Sequence, residues 1–430
     1  MTTSSQAPYL PLSRDYNVLS SELREDGLHV AMECSLLPTE CPFCASRQLG
    51  KWGARPFTFR DLPYKGQPVQ ISGTVRRYRC QSCDKLFNQA LPEVAEKRQM
   101  TKRLLYWIGD EGVQRTFVSI AKEIGVTETT VRNAFNDFVA LLEEAVHIAT
   151  PTHLALLEVV ALASPRVLAL NTQSGTVVDM LATPDKIKLH GYLGGLRTAD
   201  RVQFVSLGLS HVAMEAACAN LPHAVAFIDK PYVLDLVDGC LQGLIEQLVV
   251  RLDKATRTAL GVGRKSDTVN LLRLMQRVPS EQDAQAMEML FLRSHLLREA
   301  YQLREALHAV YDNPTTTPED AGQRIQAAVD TMSDEGRGVF AAFIDAWSKR
   351  RAHILAFFKP GAWDASIAKL GDLSGLGGAI DRYGRGYAFE AVRCKLLFPE
   401  RVPAFSFSSP GLSVGRLLVH GAGSSEAGRI

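Results

Sequence analysis

The sequence lacks most features that would place a protein in a common class at once. No stretch reaches the length of about 18 uninterrupted apolar residues, so we expect no transmembrane helix and no membrane partner. The first residues show no basic segment followed by an apolar one, so no secretory signal is visible and we expect a cytoplasmic protein. No P-loop, GxGxxG motif, HxxxH pair, Ser-His-Asp spacing or internal repeat stands out.

Net charge is also scarce, because 48 Lys and Arg nearly balance 46 Asp and Glu to give +2. The distribution is uneven. Residues 47–103 hold 13 basic and 4 acidic side chains, a net of +9, which leaves −7 for the rest of the 430 residues. A basic module on a mildly acidic body is typical of proteins that bind polyanions. The alternative is a solvated surface that happens to be basic.

Four of the eight cysteines form two CxxC pairs, Cys41-Pro-Phe-Cys44 and Cys80-Gln-Ser-Cys83. Two such knuckles supply the tetrahedral four-thiolate set that structural zinc prefers, and a closed set leaves no open position for catalysis. The 35 intervening residues read as two strands joined by a turn at 63–67. The alternatives are a disulfide pair or a redox CxxC. Three other cysteines lie in apolar contexts, where we expect buried free thiols: Cys218, Cys240 and Cys394.

The strand before the second knuckle carries Arg76, Arg77 and Arg79 beside Tyr78. Alternation along a strand predicts Arg77 and Arg79 on one face and Arg76 with Tyr78 on the other. An arginine-rich strand beside a metal knuckle suits contact with DNA phosphates. The alternative is an edge strand that charge protects from aggregation.

Residues 115–142 predict a helix-turn-helix. Phe117, Ile120 and Ile124 lie at helical spacing, Gly125 supplies the turn, and Thr127 is suited to cap a second helix. In the DNA-binding form of this motif the second helix enters the major groove. The alternative is an ordinary pair of antiparallel helices. The side chains expected to face outward toward DNA are Glu128, Thr129, Thr130, Arg132, Asn133 and Asn136.

The larger part of the chain predicts a mixed α/β sheet followed by helices. Five short apolar runs of strand length occupy 154–162, 166–172, 176–181, 202–209 and 224–229. Helical segments are predicted at 231–252, at 271–277, after a capping box at 280–283, and at 322–332 and 338–358. From residue 399 the chain is rich in Ser, Gly and Pro, as in a weakly ordered tail.

Four stretches in this order resemble bacterial insertion-sequence transposases of the ISL-three type. They are the ribbon CPFC…FRDLPYKGQPVQISGTVRRYRCQSCDKLF with its RDLP turn, AFIDKPYVLDLV, RSHLLREAYQLREAL and RGYAFEAVRCKLLF. The resemblance covers about residues 41–397 and implies an RNase H-like core with a helical insertion. In that family two Asp and one Glu hold two Mg²⁺ ions for phosphodiester transfer.

The resemblance also implies a multidomain α+β fold. The expected parts are an N-terminal arm (1–33), a zinc ribbon (34–95), a helix-turn-helix domain (96–148), the first part of the core (149–252), the helical insertion (253–360), the last part of the core (361–398) and a flexible tail (399–430).

The family's three acids are replaced here. The resemblance places them at Leu157, Gly208 and Ser374, and the family's nearby His falls at Tyr232. None of the three offers a charged oxygen, and Glu158 is expected on the opposite strand face from Leu157. Other acids near these elements could be recruited: Asp179, Asp200, Glu215, Asp229, Asp372 and Asp381.

These features predict a transposase-derived, sequence-specific DNA-binding protein without strand-transfer chemistry, which serves as a regulator or accessory factor. We expect structural zinc, Mg²⁺ only in an active core, double-stranded DNA as partner, a homodimer, a protein partner on the core and association with the bacterial nucleoid. One alternative is an active transposase with a shifted acid set. The other is a protein-interaction scaffold without DNA binding.

Overall fold

The computed structural model describes residues 12–145, 148–254, 258 and 280–398. The helix predicted at 271–277 and the tail from residue 399 lie outside these residues. The chain forms two compact units. Among the described residues, one unit contains 12–148 and 382–398, and the other contains 149–381. Over the described ranges, no helix combines the length and apolar character needed to span a bilayer.

The first unit is built on a seven-stranded sheet in the order β1-β2-β4-β3-β7-β6, with β5 also paired to β4. Its core packs apolar side chains of β2 and β4, such as Leu28, Val30 and Ile71. Its strands are β1 (Tyr16–Arg24), β2 (Gly27–Cys34), β3 (Leu49–Tyr64), β4 (Gln67–Cys80), β5 (Leu86–Asn88), β6 (Val94–Ala95) and β7 (Met100–Thr101).

The hairpin of β1 and β2 corrects the expectation of an N-terminal arm over 1–33. β2 pairs in parallel with β4, so from Tyr16 onward this segment belongs to the same sheet as the ribbon. The turn between β3 and β4 is also tighter than the predicted 63–67, because β3 continues to Tyr64. Lys65 and Gly66 alone make the turn, with φ of 51° and 75°. The RDLP stretch is therefore strand, and the prediction of a turn there is wrong.

Three helices follow the sheet: α1 (Lys102–Gly112), α2 (Phe117–Ile124) and α3 (Glu128–Ala145). Gly125 ends α2 with φ of +65°, which glycine adopts without strain. Thr127 caps α3 by accepting a hydrogen bond from the Thr130 amide at 3.2 Å. Phe117 and Phe135 pack with ring centroids 5.1 Å apart. The helix-turn-helix geometry predicted from the apolar spacing is present.

The second unit contains a five-stranded sheet in the order β10-β9-β8-β11-β12. Strands β8, β9 and β10 are antiparallel, whereas β11 and β12 run parallel to β8. This is the mixed α/β core that the apolar runs predict. Its strands are β8 (His153–Ala161), β9 (Ser164–Asn171), β10 (Thr176–Leu181), β11 (Phe204–Leu207) and β12 (Val225–Ile228).

Helices surround this sheet and extend the second unit. The predicted capping box is present, since Ser280 accepts a hydrogen bond from the Asp283 amide at 3.2 Å. The remaining helices are α4 (Lys186–Gly194), α5 (His211–Asn220), α6 (Lys230–Arg251), α7 (Glu281–Phe291), α8 (His295–Asp312), α9 (Pro318–Asp330), α10 (Asp334–Val339), α11 (Ala341–Leu355), α12 (Leu376–Tyr383) and, in the first unit, α13 (Phe389–Leu397).

The expectation of buried thiols holds only for Cys394. Cys218 on α5 is exposed and Cys240 on α6 is half-buried. The apolar neighbours of Cys218 in sequence do not bury it, because a helix turns successive residues to different faces.

Candidate functional site

The four cysteines of the two CxxC pairs meet at one point. All four sulfur atoms lie within 4.8 Å of one another. Cys41 Sγ lies 3.7 Å from Cys83 Sγ, and Cys44 Sγ lies 3.6 Å from Cys80 Sγ. Four sulfurs at about 2.3 Å from one tetrahedral ion are about 3.8 Å apart, whereas a disulfide requires about 2.05 Å. The donor set and its spacing fit structural zinc.

The two knuckles share one backbone conformation. In each, the amide four residues beyond the first cysteine donates back to that cysteine's carbonyl, from Ala45 to Cys41 at 2.9 Å and from Asp84 to Cys80 at 3.0 Å. Ala45 and Asp84 both take a left-handed φ, of 55° and 58°. In the second knuckle, backbone amides led by that of Cys83 lower the pKa of the Cys80 thiol to about 6. At Cys44 the backbone amide of Ser46 lowers the thiol pKa, but hydrogen bonds with the other cysteines raise it to about 12, so these contacts favour a thiolate at Cys80 and not at Cys44.

The three arginines predicted to contact DNA differ in their partners. Arg76 pairs with Glu33 at 2.5 Å, and Arg79 pairs with Asp84 through two bonds of 2.5 and 2.7 Å. Arg77 makes no ion pair with any residue that the structure describes. Arg77 is thus the member of this set whose charge is least compensated.

One buried acid near the ribbon was missed by sequence reasoning. Asp61 in β3 is fully buried and accepts hydrogen bonds from Thr101 Oγ1 at 2.6 Å and from Arg103 Nε at 2.8 Å. Thr101 also caps α1. Asp61 therefore ties the ribbon to α1, the helix that precedes the helix-turn-helix. Its signal in the sequence is a charged residue within an otherwise strand-like stretch.

The outward-facing residues predicted on α3 lie along one accessible side of that helix. Glu128, Thr129 and Asn136 are exposed, while Thr130, Arg132 and Asn133 are partly exposed. Arg132 is held by two carboxylates. Its Nη2 donates to Glu128 at 2.7 Å, and its Nη1 donates to Glu390 of α13 at 3.4 Å. The contact with Glu390 could not be foreseen, because 258 residues separate the two side chains along the chain.

Of the positions Leu157, Gly208 and Ser374, the first lies on β8 and the second directly follows β11, its neighbour inside the second sheet. Leu156 in β8 pairs with Leu207 in the parallel strand β11. Leu157 and Gly208 are the residues that directly follow this pair on the two sides of the ladder. Leu157 and Ser374 both line a cleft of about 620 Å³. Clefts beyond the carboxyl ends of parallel strands are where ligands bind in open α/β sheets. The arrangement is a cleft beside two parallel strands of a mixed α/β sheet.

Three family models match the chain in the same order as these sites. The zinc-finger model of the transposases IS204, IS1001, IS1096 and IS1165 matches residues 37–83, and the helix-turn-helix domain of transposase family ISL3 matches residues 89–139. The ISL3 transposase model matches residues 163–394, more than half of the chain. The chain belongs to the ISL3 transposase family. No curated protein matches it.

In this ISL3 family member, Tyr232 fills the space beside Gly208. A Cβ atom at Gly208 would lie 3.2 Å from two carbons of the Tyr232 ring, closer than ordinary packing. The Tyr232 hydroxyl is buried without a hydrogen-bond partner among the described residues. Burial, with the nearby charge of Asp229, raises the pKa of Tyr232 well above its usual range. The residues at these two positions are sterically coupled.

The acids that line the cleft are Glu158, Asp235 and Asp372, with no basic side chain among its lining residues. They do not form a metal cluster. Within the described ranges, the four cysteines are the one group of three or more His, Cys, Asp or Glu ligand atoms close enough to share an ion. Asp235, on α6, was not among the acids considered from the sequence.

The acids that sequence reasoning offered for recruitment are mostly engaged in local structure. Asp229 is fully buried and accepts hydrogen bonds from the Ser206 and Ser366 hydroxyls at 2.5 and 2.6 Å and from the Ile367 amide at 2.9 Å. Glu215 pairs with Lys186 at 2.6 Å. The other acids are bonded to backbone amides or lie exposed: Asp179 to Met180, Asp372 to Ser374, Asp381 to Leu162, and Asp200 on the surface.

Proposed function

We propose that this ISL3-family chain binds a specific double-stranded DNA site but does not carry out strand transfer, and that it acts as a regulator or accessory factor. One observation carries the proposal. The resemblance to the family places its three acids at positions that hold Leu157, Gly208 and Ser374 in this sequence. Mg²⁺ is a hard cation that binds through charged and carbonyl oxygens, and none of these side chains supplies a carboxylate.

The electrostatics of the cleft support the same proposal. Glu158, Asp235 and Asp372 line it without a basic residue. Without metal ions to neutralise them, these acids repel the phosphates of a DNA strand.

DNA binding is assigned to the first unit. Arg76, Arg77 and Arg79 of the ribbon are suited to phosphate contacts. The bases would be read from α3, with Arg132 and Asn133 reaching base edges, flanked by Glu128, Thr129, Thr130 and Asn136. A homodimer on a palindromic or terminal-repeat site, with the core as its scaffold or as the binding site of a protein partner, completes the proposal.

The test combines selection and catalysis. The full-length, zinc-loaded protein is used to select DNA from a random library, and the selected duplex is then incubated with the protein and Mg²⁺ or Mn²⁺. We expect a defined site, affinity that falls steeply with salt, and no cleavage or joining. Strand transfer on that duplex would overturn the inactive core. Failure to select any DNA would favour a protein-interaction scaffold.

A second candidate is an active transposase with a shifted acid set. The observation that favours it is the presence of Glu158, Asp235 and Asp372 around the same cleft. If it is right, metal-dependent strand transfer is present and is abolished by Asp235→Asn. Asp345→Asn, on an exposed acid that does not line the cleft, is the control.

A further inference from the structure

The ribbon strand β3 carries a bulge at Trp52. Lys51 pairs with Tyr78 and Gly53 pairs with Arg77, so Trp52 has no partner residue on β4. Gly53 takes a φ of +105°, in the region that favours glycine. A bulge of this kind changes the direction in which its side chain points. Here it leaves the Trp52 side chain 50% exposed.

One side of this indole is covered by a fixed guanidinium group. The Arg79 Cζ atom lies 4.9 Å from the centre of the Trp52 ring. Arg79 is held in turn by two bonds to Asp84, whose pKa is lowered by that pairing. Asp84 belongs to the second cysteine knuckle. The knuckle holds Asp84 in place, the Asp84 carboxylate bonds the Arg79 guanidinium, and this guanidinium packs against the Trp52 ring.

A second aromatic side chain has the same arrangement, with a cation that follows Asp84 directly in the sequence. Phe43, between the cysteines of the first knuckle, is 55% exposed. Lys85, the residue after Asp84, places its Nζ 4.7 Å from the Phe43 ring centre. We call Phe43, Trp52, Arg79, Asp84 and Lys85 the aromatic platform. Four of its residues lie within the basic stretch 47–103, whose net charge is +9, and Phe43 lies just before that stretch.

Charge and shape together define what this surface fits. Exposed aromatic rings supported by cations, within a basic region, are the combination on which successive bases of a single strand stack. In duplex DNA the base faces are already stacked on each other and are not available. The partner of this surface therefore has unpaired bases and a phosphate backbone.

We propose that the aromatic platform binds single-stranded DNA by stacking its bases on Trp52 and Phe43. This extends the proposed duplex binding by a second mode that recognises opened DNA. Arg77, which faces Gly53 across the ladder, supplies a phosphate contact beside the platform.

The experiment compares two strands of equal length with the full-length, zinc-loaded protein. One is oligothymidine, and the other has the same phosphates but abasic sugars. Stacking predicts that oligothymidine binds at least about fivefold more tightly. Trp52→Ala should remove most of this difference without weakening binding of the abasic strand. Arg77→Ala should weaken both strands alike. Quenching of tryptophan fluorescence by oligothymidine should be smaller in Trp52→Phe, which keeps an aromatic ring and part of the affinity.

The matched control is Tyr106→Ala, which removes an aromatic side chain of α1 that is 51% exposed and outside the platform. Zinc content verifies that each variant keeps its ribbon. Equal affinity for the two strands, or equal weakening of both by Trp52→Ala, overturns the inference. A Trp52→Ala protein that binds both strands normally but changes its oligomeric state would assign the surface to a protein interface instead. Binding of the selected duplex is measured in parallel, so failure of the platform and failure of the proposed function remain distinguishable.

Discussion

The two units of this chain differ in the side chains that they present at their candidate functional sites. In the first, four cysteines converge within 4.8 Å and fit the zinc site that the sequence predicts. In the second, Leu157 and Ser374 line a cleft, Leu157 and Gly208 follow paired residues of two parallel strands, and we propose that these three residues stand where the family has its acids. A family match over the core describes its fold well, but function depends on the side chains at the site.

The largest effect is expected from removing one of the four zinc ligands. Cys80 is fully buried, so Cys80→Ser should abolish zinc binding, unfold the ribbon and eliminate DNA binding, because structural zinc contributes about 10 kcal/mol or more to folding in small domains. Zinc content and DNA affinity are the measurements. Cys218→Ser, on an exposed cysteine of the second unit, should change neither. Full zinc content in Cys80→Ser would contradict the four-cysteine assignment.

The next largest effect is expected on stability, when the buried Asp229 of the second unit is replaced. Asp229→Ala leaves the Ser206 and Ser366 hydroxyls and the Ile367 amide without their acceptor, and should lower the free energy of unfolding by about 3 kcal/mol. Denaturant unfolding measures it. Asp345→Ala, which removes an exposed pair with Lys349, should cost no more than about 0.5 kcal/mol.

The buried Asp229 should also make the stability of the protein depend on pH. Burial raises its pKa, so the folded state holds this proton more tightly than the unfolded state, whose pKa is about 3.9. Stability from the neutral acid is full below the unfolded pKa and is lost as pH rises through the raised folded pKa. Relative to Asp229→Asn, the natural protein should therefore lose stability as pH rises above about 4. A difference that stays constant with pH would contradict this assignment.

A third test concerns base reading by α3. Arg132→Ala should cost about 1–3 kcal/mol at the base pair that Arg132 contacts and relax the preference there. Affinity for the selected site and for single-base variants measures it. Arg324→Ala, on an exposed arginine of α9, should leave the preference intact. Uniform weakening across all sequences would reassign Arg132 to a phosphate.

The contrast between the units also explains what the sequence could predict. The zinc ligands and the turn at Gly125 were predictable because their signals are local, in spacing and in helical periodicity. The prediction that the family's acids are missing rests on the resemblance alone, because Leu157 in a strand gives no such signal by itself. Long-range pairings, such as those of Asp61 with Arg103 and of Arg132 with Glu390, leave no periodic signal.

Irregular backbone was the other source of error. The sequence predicts only two strands joined by a turn between the knuckles, and the bulge that leaves Trp52 without a ladder partner was not predicted. The RDLP stretch contains a proline and was interpreted as a turn, but it continues β3, and Asp61 within it is buried against the next helix. At Asp61, tertiary contacts override the local preference.

A smaller effect is expected where Gly208 packs against Tyr232 in the second unit. Gly208→Ala places a Cβ atom 3.2 Å from the Tyr232 ring and should cost about 1 kcal/mol in unfolding free energy. Because His is smaller than Tyr, the cost should shrink in a Tyr232→His background. A double-mutant cycle measures this coupling, expected at about 0.5 kcal/mol or more. Additive effects would mean that the two replacements are independent.

The smallest effect is a difference in DNA binding between two arginine variants of the ribbon. Arg77 has no ion pair among the described residues, so Arg77→Ala should weaken binding to all DNA sequences a few-fold and reduce the slope of log affinity against log salt by about one. Arg76 is paired with Glu33, and Arg76→Ala should change the slope less, because that charge is already compensated within the protein. Titrations at several salt concentrations with one selected and one random duplex measure both. A larger slope change for Arg76 than for Arg77 would show that the Glu33 pair opens when DNA binds.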